Sequence, residues 1–210
     1  MKTSVVIPIK SFSESKSRLE LKPSDVKHLC EIMLKEILQV VSETKSIDDI
    51  ILVSKDEYAF GIGKKFNCVE IFDEKESGVN NAVTLANEFL MENDYACSII
   101  LPQDIPLILP EDLDNLVRFF QKTKYAIIVP SRHFDGTNAL VRMPKAGMKT
   151  RYDEGSYKFQ MEPLKTAQMY YSLALIKRIM VDVDNIVDVN YVIKQNIKPA
   201  FCNKLKDIFS

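Results

Sequence analysis

The chain has 210 residues, which is enough for one globular domain, and its 46% hydrophobic content is sufficient to fill a core. Lysine and arginine nearly balance aspartate and glutamate, so the formal net charge is −1 at pH 7. This balance excludes a general electrostatic attraction to nucleic acid or to an anionic membrane. We therefore expect a single domain over residues 1–210 in which any basic chemistry is local.

The amino terminus and the cysteines indicate the compartment. The apolar run Val5–Ile9 is too short for a signal peptide, and no later run is long enough to cross a membrane. The four cysteines lie far apart, in or beside apolar runs, without a Cys-x-x-Cys pair. This pattern favours buried, reduced thiols over disulfides or a metal site, and we expect a cytoplasmic protein.

Short apolar runs alternate with longer amphipathic segments, which predicts strands and helices in turn. The predicted strands are Ser4–Pro8, Asp49–Ser54, Cys68–Phe72, Ser98–Leu101, Tyr125–Val129, Asn138–Arg142, Met169–Leu173 and Ile176–Val183. The predicted helices begin at or near Pro23, Asp56, Glu76, Pro110, Ser156 and Asn185, and a short tail follows Gln195. The first of these helices has the most regular apolar spacing, and Ser24 is its predicted N-cap.

The order of these elements predicts the fold. Strands joined by helices of ten or more residues form right-handed βαβ units and a parallel sheet. Too few residues separate Tyr125–Val129 from Asn138–Arg142 for a crossover helix, so at least one of these strands runs antiparallel. We predict an α/β fold, with three layers and a mostly parallel, mixed sheet.

Asp104 is the residue around which the other candidate site residues are arranged. It follows the apolar run Ser98–Leu101 and stands between Pro102 and Pro106, which restrict the backbone on both sides. A carboxylate at the carboxyl end of a buried strand lies where open α/β sheets bind ligands, and it suits a hard cation such as Mg²⁺. The alternative is that Asp104 only caps a turn.

The loop after the first strand is basic. It carries Lys10, Lys16 and Arg18 among several serines, and these side chains are donors that match phosphate oxygens. The loop has no glycine, so it is neither a P-loop nor a dinucleotide-binding turn. A solvated surface loop is the alternative, but other phosphate-compatible loops are expected at the same edge of the sheet.

Two further segments are expected at this edge. Ser77–Asn81 begins a helix after the third strand, so its backbone N–H groups and the amides of Asn80 and Asn81 could bind an anion, a base or a ribose. Helix capping by asparagine is the alternative.

Asp182 and Asp184 are two residues apart on a predicted strand and would face the same side, where one of them could share a metal with Asp104. A solvated strand end and a helix cap are the alternative.

Taken as a set, these motifs resemble the 2-phospho-L-lactate guanylyltransferase family of coenzyme F-420 biosynthesis. The resemblance spans nearly the whole chain in family order. The matching motifs are Ile7-Pro8-Ile9-Lys10, Lys16-Ser17-Arg18-Leu19, Gly78-Val79-Asn80, Leu101-Pro102-Gln103-Asp104-Ile105-Pro106-Leu107, Gly136-Thr137-Asn138-Ala139-Leu140, Glu154-Gly155-Ser156 and Asp182-Val183-Asp184. The resemblance implies the nucleotidyltransferase fold that this family shares with the molybdenum-cofactor guanylyltransferases.

The resemblance also implies roles for individual residues. Lys10, Lys16 and Arg18 would hold the triphosphate of GTP, and Gly78 with Asn80 would contact the base or ribose. Asp104 and one of Asp182 and Asp184 would bind Mg²⁺, while Lys16, Arg18 and Asp104 would act in catalysis. The acceptor, a phosphorylated three-carbon acid, would be held by residues of two later motifs, namely Thr137, Asn138, Gly155 and Ser156. Its phosphate would attack the α-phosphorus of GTP and expel pyrophosphate.

The chain departs from the family pattern on the acceptor side. Asp135 stands at a position where the family usually has a second glycine, and Gln160 stands where the family usually has a histidine. The family motif Gly-Glu-Gly-Ser-Phe is replaced here by Asp153-Glu154-Gly155-Ser156-Tyr157, so its first glycine and its phenylalanine are changed. Phospholactate, phosphoenolpyruvate and 3-phosphoglycerate therefore all stay open as acceptors. The expected partners are GTP and one such acid, without nucleic acid or membrane, and a homodimer is one open oligomeric state.

Two other functions are weighed against this one. A relative on the same fold could transfer a nucleotide to a sugar phosphate or a pterin. A non-catalytic nucleotide-binding subunit is the alternative from a different class, but it would have no need for Asp104 with Asp182 or Asp184 beside Lys16 and Arg18. The presence of all these residues favours an enzyme.

Overall fold

The computed structural model describes residues 1–120, 125–146, 148–152 and 155–209, without the side chains of Glu14 and Ala146. Asp153 and Glu154, named above for their family motif, lie outside these residues. The strands are β1 (Thr3–Pro8), β2 (Asp49–Ser54), β3 (Val69–Phe72), β4 (Cys97–Ile100), β5 (Tyr125–Pro130), β6 (Thr137–Arg142) and β7 (Tyr170–Leu173). The α-helices are α1 (Pro23–Glu43), α2 (Glu57–Gly63), α3 (Val79–Glu92), α4 (Pro110–Phe119), α5 (Ser156–Thr166), α6 (Ile186–Gln195) and α7 (Pro199–Phe209).

The described strands form one seven-stranded sheet in the order β3-β2-β1-β4-β6-β5-β7. β1 pairs in parallel with β2 and β4, β2 with β3, and β5 with β7. β6 runs antiparallel to both of its neighbours, β4 and β5. The predicted mixed, mostly parallel sheet is therefore confirmed, and the strand that reverses is β6.

Alternating side chains along the central strands supply the cores on the two faces of the sheet. Val5 and Ile7 of β1 pack with the buried residues of α1, α2 and α4 on one face. Val6, between them, packs with residues of α3 and α5 on the other face. Helices on both faces of a sheet buried in this way give the three layers predicted from the sequence. No helix in the described residues is both long and apolar enough to cross a membrane.

A third apolar cluster joins α6 and α7 to the outer side of α1. Met33 of α1, Val192 of α6 and Phe201 of α7 are buried within it. Only a short tail after Gln195 was predicted from the sequence, so α7 was missed. Pro199 occupies its first turn, where the missing N–H of proline costs no hydrogen bond.

Two further predictions were wrong. Ser24 does not cap α1: the helix already begins at Pro23, the N-cap is Lys22, and the Ser24 hydroxyl donates to Asp25. Ile176–Val183 is not a strand. The N–H groups of Ile179 and Met180 both bond to the carbonyl of Ile176, which makes a turn, and the segment then continues without a strand partner in the described sheet.

Candidate active site

A cleft of about 630 Å³ opens at the carboxyl ends of β1 and β4. Its described wall is formed by the segment after β1, the β3–α3 connection, the segment after β4, and single residues from β6 and from before α6. Lys10, Lys16, Arg18, Gly78 and Asp104 all line it. The crevice outside the carboxyl ends of the strands is the usual ligand site of such sheets, and the structure brings these five predicted residues together there.

Lys16 forms the electrostatic centre of the cleft. Its Nζ donates to Asp104 Oδ2 at 2.6 Å and to Asp184 Oδ1 at 2.8 Å, and its side chain is only 7% exposed. Burial alone would lower the pKa of Lys16, but attraction to Asp104 and Asp184 outweighs burial and raises it above the ordinary value. Lys16 is therefore a fixed ammonium between two carboxylates that lie far apart along the chain.

The backbone around these carboxylates holds them at the mouth of the cleft. The carbonyl of Asp104 accepts the N–H of Val183 at 2.9 Å, which ties the segment after β4 to the segment before α6. Asp188, in the first turn of α6, accepts the N–H of Asp184 at 3.0 Å and the N–H of Asn185, the N-cap, at 3.1 Å. Arg132 donates to the same Asp188 carboxylate. Asp184 is thus positioned by backbone hydrogen bonds and not by a strand.

Two acidic side chains hold the basic loop in place. Glu76 accepts the N–H and the hydroxyl of Ser11, and Asp56 accepts the N–H of Phe12 at 2.9 Å. Lys55 Nζ lies 2.6 Å from Glu76 Oε2. Burial would raise the pKa of Glu76, but these bonds from Lys55 and Ser11 lower it, so Glu76 acts as a carboxylate anchor. The loop conformation is therefore set by residues of other connections.

Asp182 and Asn138 form a second layer behind the Lys16 centre. Asn138 is buried, and its Nδ2 donates to the carbonyl of Ile179 at 3.0 Å and to Asp182 Oδ1 at 3.3 Å. Burial, together with the negative charges of Asp104 and Asp184, raises the pKa of Asp182 to about 6. The structure therefore gives Asn138 contacts that support Asp182, whereas the family resemblance assigned it to the acceptor.

The other predicted acceptor residues come together at the start of α5. Ser156 Oγ donates to Thr137 Oγ1 at 3.0 Å, and Thr137 lines the cleft. Gly155 is the N-cap of α5 and has φ +69°, a left-handed conformation that glycine adopts without strain. The four predicted residues on this side thus lie near β6, with Thr137 at the cleft surface.

Two departures from the family pattern serve local structure. Asp135 accepts the Ser131 hydroxyl inside the turn between β5 and β6. Gln160 is fully buried, and its amide donates to the carbonyl of Arg151 and accepts the Arg151 N–H. Neither side chain is among the described residues that line the cleft, so both are accounted for by contacts away from its surface.

Gly78 lines the cleft, whereas Asn80 is not among the described residues of its wall. Gly78 has φ +108° and is the N-cap of α3, and a Cβ there would meet nothing, so it is the backbone conformation that favours glycine. Asn80 Oδ1 accepts the N–H of Tyr152 at 3.0 Å, which joins α3 to the segment before α5. The side-chain oxygen of Asn80 is therefore already hydrogen-bonded within the protein.

The sequence analysis did not assign Glu76, Asp73 or Asp56 to the site. The structure shows Glu76 and Asp73 in the wall of the cleft and Asp56 beneath the basic loop. These acidic residues follow the second and third predicted strands, but nothing local in the sequence links Glu76 to Ser11, 65 residues away, or Asp56 to Phe12, 44 residues away.

A divalent cation fits the donor chemistry of the cleft. Asp104, Asp182 and Asp184 supply carboxylate oxygens, which Mg²⁺ prefers, and Lys16 neutralises only one of their three charges. The described residues contain no ready cluster of three His, Cys, Asp or Glu side chains arranged around one ion. A protein site for Mg²⁺ commonly has only one or two carboxylates and takes its other ligands from substrate phosphates and water, so it does not require such a cluster.

Comparison with solved structures shows which fold the chain has. The fold is similar to a putative nucleotide-diphospho-sugar transferase from Desulfovibrio desulfuricans G20, with a TM-score of 0.77 and 14% identity, covering 99% of this chain and 95% of that one. It is also similar to a nucleotidyl transferase from Methanothermobacter thermautotrophicus, with a TM-score of 0.64 and 11% identity, covering 96% of this chain and 98% of that one. The chain has the nucleotidyltransferase fold.

The family follows from the sequence itself. Residues 3–200 match the family described as "Guanylyl transferase CofC like", and the chain belongs to it. A phosphoenolpyruvate guanylyltransferase from Conexibacter woesei is 29% identical over 187 residues, covering 88% of this chain and 84% of that protein. A 2-phospho-L-lactate guanylyltransferase from Methanocaldococcus jannaschii is 30% identical over 194 residues, covering 91% and 83%. The protein is therefore a nucleotidyltransferase enzyme, and the family resemblance read from its motifs is confirmed.

Proposed function

We propose that the protein transfers GMP from GTP to the phosphate of a phosphorylated three-carbon acid and releases pyrophosphate, in the biosynthesis of coenzyme F-420. The observation that carries this proposal is the Lys16 centre: a buried ammonium held by Asp104 and Asp184 in a cleft with a basic loop on one side. Its support is the match to guanylyltransferases along 198 residues, from 3 to 200.

The reaction needs little proton transfer. A phosphate monoester is largely dianionic at neutral pH, so its oxygen can attack the α-phosphorus of GTP without a general base. A new P–O–P bond forms as the bond from the α-phosphorus to the β-phosphate oxygen breaks, and pyrophosphate leaves with the electron pair. In keeping with this, no histidine is among the described residues that line the cleft.

The residues of the chain would act by binding and by charge. Lys10, Lys16 and Arg18 line the cleft as cations and would hold the triphosphate, where they would stabilise the charge that develops on the leaving pyrophosphate. Glu76 and Asp56 would keep these cations in register by anchoring the loop. Lys16 would also keep Asp104 and Asp184 from repelling each other before substrate binds.

Mg²⁺ is the expected cofactor. Asp104 would hold it together with Asp184 or Asp182, and when bound it would neutralise phosphate charge. Asp184 lines the cleft, whereas Asp182 lies behind it and is held by Asn138. This arrangement favours Asp184 as the second ligand and Asp182 as a neighbour that adds negative charge.

The acceptor would lie between β6 and α5. Thr137 reaches the cleft surface, and Ser156 and Gly155 stand behind it at the first turn of α5, where N–H groups favour an anion such as a carboxylate. The two relatives described above carry the names of two different acceptors, 2-phospho-L-lactate and phosphoenolpyruvate. Both are three-carbon acids with a phosphate on carbon 2, and this shared feature defines the class that we propose.

We also propose a cytoplasmic location. The support is that all four cysteines are free thiols, as expected for a reducing compartment.

Pyrophosphate release tests this function. The protein is mixed with GTP and Mg²⁺, and 2-phospho-L-lactate, phosphoenolpyruvate and 3-phosphoglycerate are added in separate reactions. We expect release with an acid that carries its phosphate on carbon 2, and none with GTP alone. Release that requires a sugar phosphate or a pterin, or GTP binding without any release, would contradict the proposal.

A further inference from the structure

The proposed function requires the cleft to select guanine, and the inference that follows rests on it. Guanine presents two neighbouring donors on its Watson–Crick edge, N1–H and the 2-amino group. Adenine and cytosine instead present a ring acceptor beside an amino group. A side chain that accepts two hydrogen bonds and donates none would therefore favour guanine, and a carboxylate has this property.

The described wall of the cleft contains four carboxylates, and three of them are paired with lysines. Asp104 and Asp184 share Lys16, and Glu76 pairs with Lys55 while it also accepts from Ser11. These pairings explain what the three carboxylates do before any nucleotide binds. The fourth carboxylate belongs to Asp73, the residue directly after β3.

Asp73 is held by neutral donors that meet at one of its oxygens. Asp73 Oδ1 accepts the N–H of Glu76 at 3.1 Å and the Nδ2 of Asn81 at 2.8 Å. Its backbone is fixed as well, since its N–H donates to the carbonyl of Ser54 at 2.9 Å. The side chain is rigid and only 4% exposed, yet it lies in the cleft wall and carries acceptor sites beyond those two bonds.

The surroundings of Asp73 suit a flat ring. Val79 and Ala82, from the first turn of α3, line the same wall, and Pro8 and Ile9 line the cleft at the end of β1. Apolar walls with one rigid polar group are typical of sites that bind a base by its faces and read it by its edge. The basic loop, which would hold the triphosphate, lines the cleft beside these residues.

We propose that the Asp73 carboxylate selects the nucleotide by accepting hydrogen bonds from N1–H and the 2-amino group of guanine. Asn81 and the Glu76 N–H orient the carboxylate through Oδ1. Adenine and cytosine are rejected because a ring nitrogen lone pair would face the carboxylate. Asp73 is thus a specificity-determining residue for the base, separate from the cations that bind the phosphates.

The test is the variant Asp73→Asn, in which an NH₂ group replaces one oxygen of the carboxylate. The remaining oxygen can still accept from Asn81 and Glu76, so the local turn is kept, while the new NH₂ group is a donor. This donor would face the 2-amino group of guanine unfavourably but would match the 2-oxo group of xanthine. We expect wild type to prefer GTP to XTP by about 10- to 100-fold in kcat/KM, and Asp73→Asn to reverse this preference.

The inosine nucleotide supplies a second readout. ITP keeps N1–H and lacks the 2-amino group, so for wild type we expect kcat/KM to be at least about 10-fold lower with ITP than with GTP. In Asp73→Asn the values of kcat/KM for the two nucleotides should differ less. Glu76→Gln is the matched control from the same connection. It should lower kcat/KM for GTP, ITP and XTP by one common factor, because it loosens the phosphate-binding loop and leaves the base contact intact.

The outcomes separate this inference from the proposed function. Wild type that does not prefer GTP to ATP and CTP would overturn the proposed function. Wild type that prefers GTP, with a GTP-to-XTP ratio unchanged in Asp73→Asn, would overturn the role of Asp73 alone. A folded Asp73→Asn protein that loses GTP and XTP use by the same factor would also overturn it, since a structural role affects all nucleotides alike.

Discussion

Replacement of Lys16 by methionine tests the electrostatic centre of the cleft. The ammonium lies 2.6 Å from Asp104 and 2.8 Å from Asp184, so Lys16→Met leaves two neighbouring carboxylates without their common cation. Methionine has a similar length and retains the packing of the buried stem. We expect loss of stability and of activity for one physical reason, which is uncompensated negative charge.

The size of the stability loss follows from the exposure of the partners. Removal of one partner from a fully buried ion pair costs about 3–5 kcal/mol. The Asp104 and Asp184 side chains are 21% and 42% exposed, so water screens part of the repulsion. We therefore expect the free energy of unfolding to fall by about 1–3 kcal/mol, which for a chain of this size lowers the melting temperature by roughly 2–12 °C.

Urea unfolding and steady-state kinetics measure these two effects. We expect kcat/KM for GTP to fall about 100- to 1,000-fold, as for loss of a group that stabilises developing charge. Lys35→Met is the matched control, because Lys35 pairs with Glu31 on the exposed side of α1 and should cost no more than about 0.5 kcal/mol. Adding Asp184→Asn to Lys16→Met should recover part of the lost stability. Equal stability of Lys16→Met and wild type would refute the reasoning.

Three further predictions concern the loop, the core and the thiols. Glu76→Gln weakens the contact between Glu76 and the basic loop, so we expect KM for GTP to rise about 10-fold with a smaller change in kcat. The size follows because a hydrogen bond to a charged group is worth about 1.5–3 kcal/mol. An unchanged KM would contradict this anchoring role. Phe201→Ala removes a fully buried ring that joins α7 to α1, so the free energy of unfolding measured in urea should fall by about 3–5 kcal/mol. A fall below about 1 kcal/mol would mean that α7 does not pack against α1. Burial raises the pKa of the Cys30 thiol to about 11 and of the Cys97 thiol to about 12, so a thiol reagent at pH 8 should modify these two cysteines only after unfolding. Rapid labelling of Cys30 or Cys97 in the folded protein, located by peptide mapping, would contradict their burial.

The sequence alone predicts those features that depend on local patterns. The apolar spacing of α1 is helical through its whole length, and Pro110 with two following acids marks the start of α4, so the start of each helix was predicted from the sequence. The same holds for Asp104, because a buried strand followed by prolines leaves the chain few directions to take. These are properties of neighbouring residues, and they survive in the folded protein.

The errors arise where distant packing decides the local structure. Ile176–Val183 is apolar enough for a strand, but Ile179 packs on the main core and Val181 on the cluster with α7, so its apolar residues serve two cores and not two faces of a sheet. α7 was missed although its apolar residues recur at helical spacing, as Phe201, Cys202, Leu205, Ile208 and Phe209 show. What the sequence does not reveal is the surface of α1 against which this helix packs.

The sequence predicts only the part of the candidate site that depends on local patterns. Its cations and Asp104 follow strands directly and could be placed at the carboxyl edge of the sheet. The contacts that give them their chemistry join residues far apart in the chain, such as Lys16 with Asp184 and Ser11 with Glu76. No local pattern specifies these pairs, so the anchoring role of Glu76 and the position of Asp73 required the structure.

Phosphorus NMR of one reaction mixture tests the central claim most directly. GTP, Mg²⁺ and a phosphorylated three-carbon acid are incubated with wild type and with Asp104→Asn, and the products are followed over time. We predict that wild type consumes GTP and acid in equal amounts, with pyrophosphate and a new unsymmetrical diphosphate diester as products, and that Asp104→Asn forms neither. Conversion of GTP to GDP and phosphate, or equal product formation by Asp104→Asn, would contradict guanylyl transfer at this site.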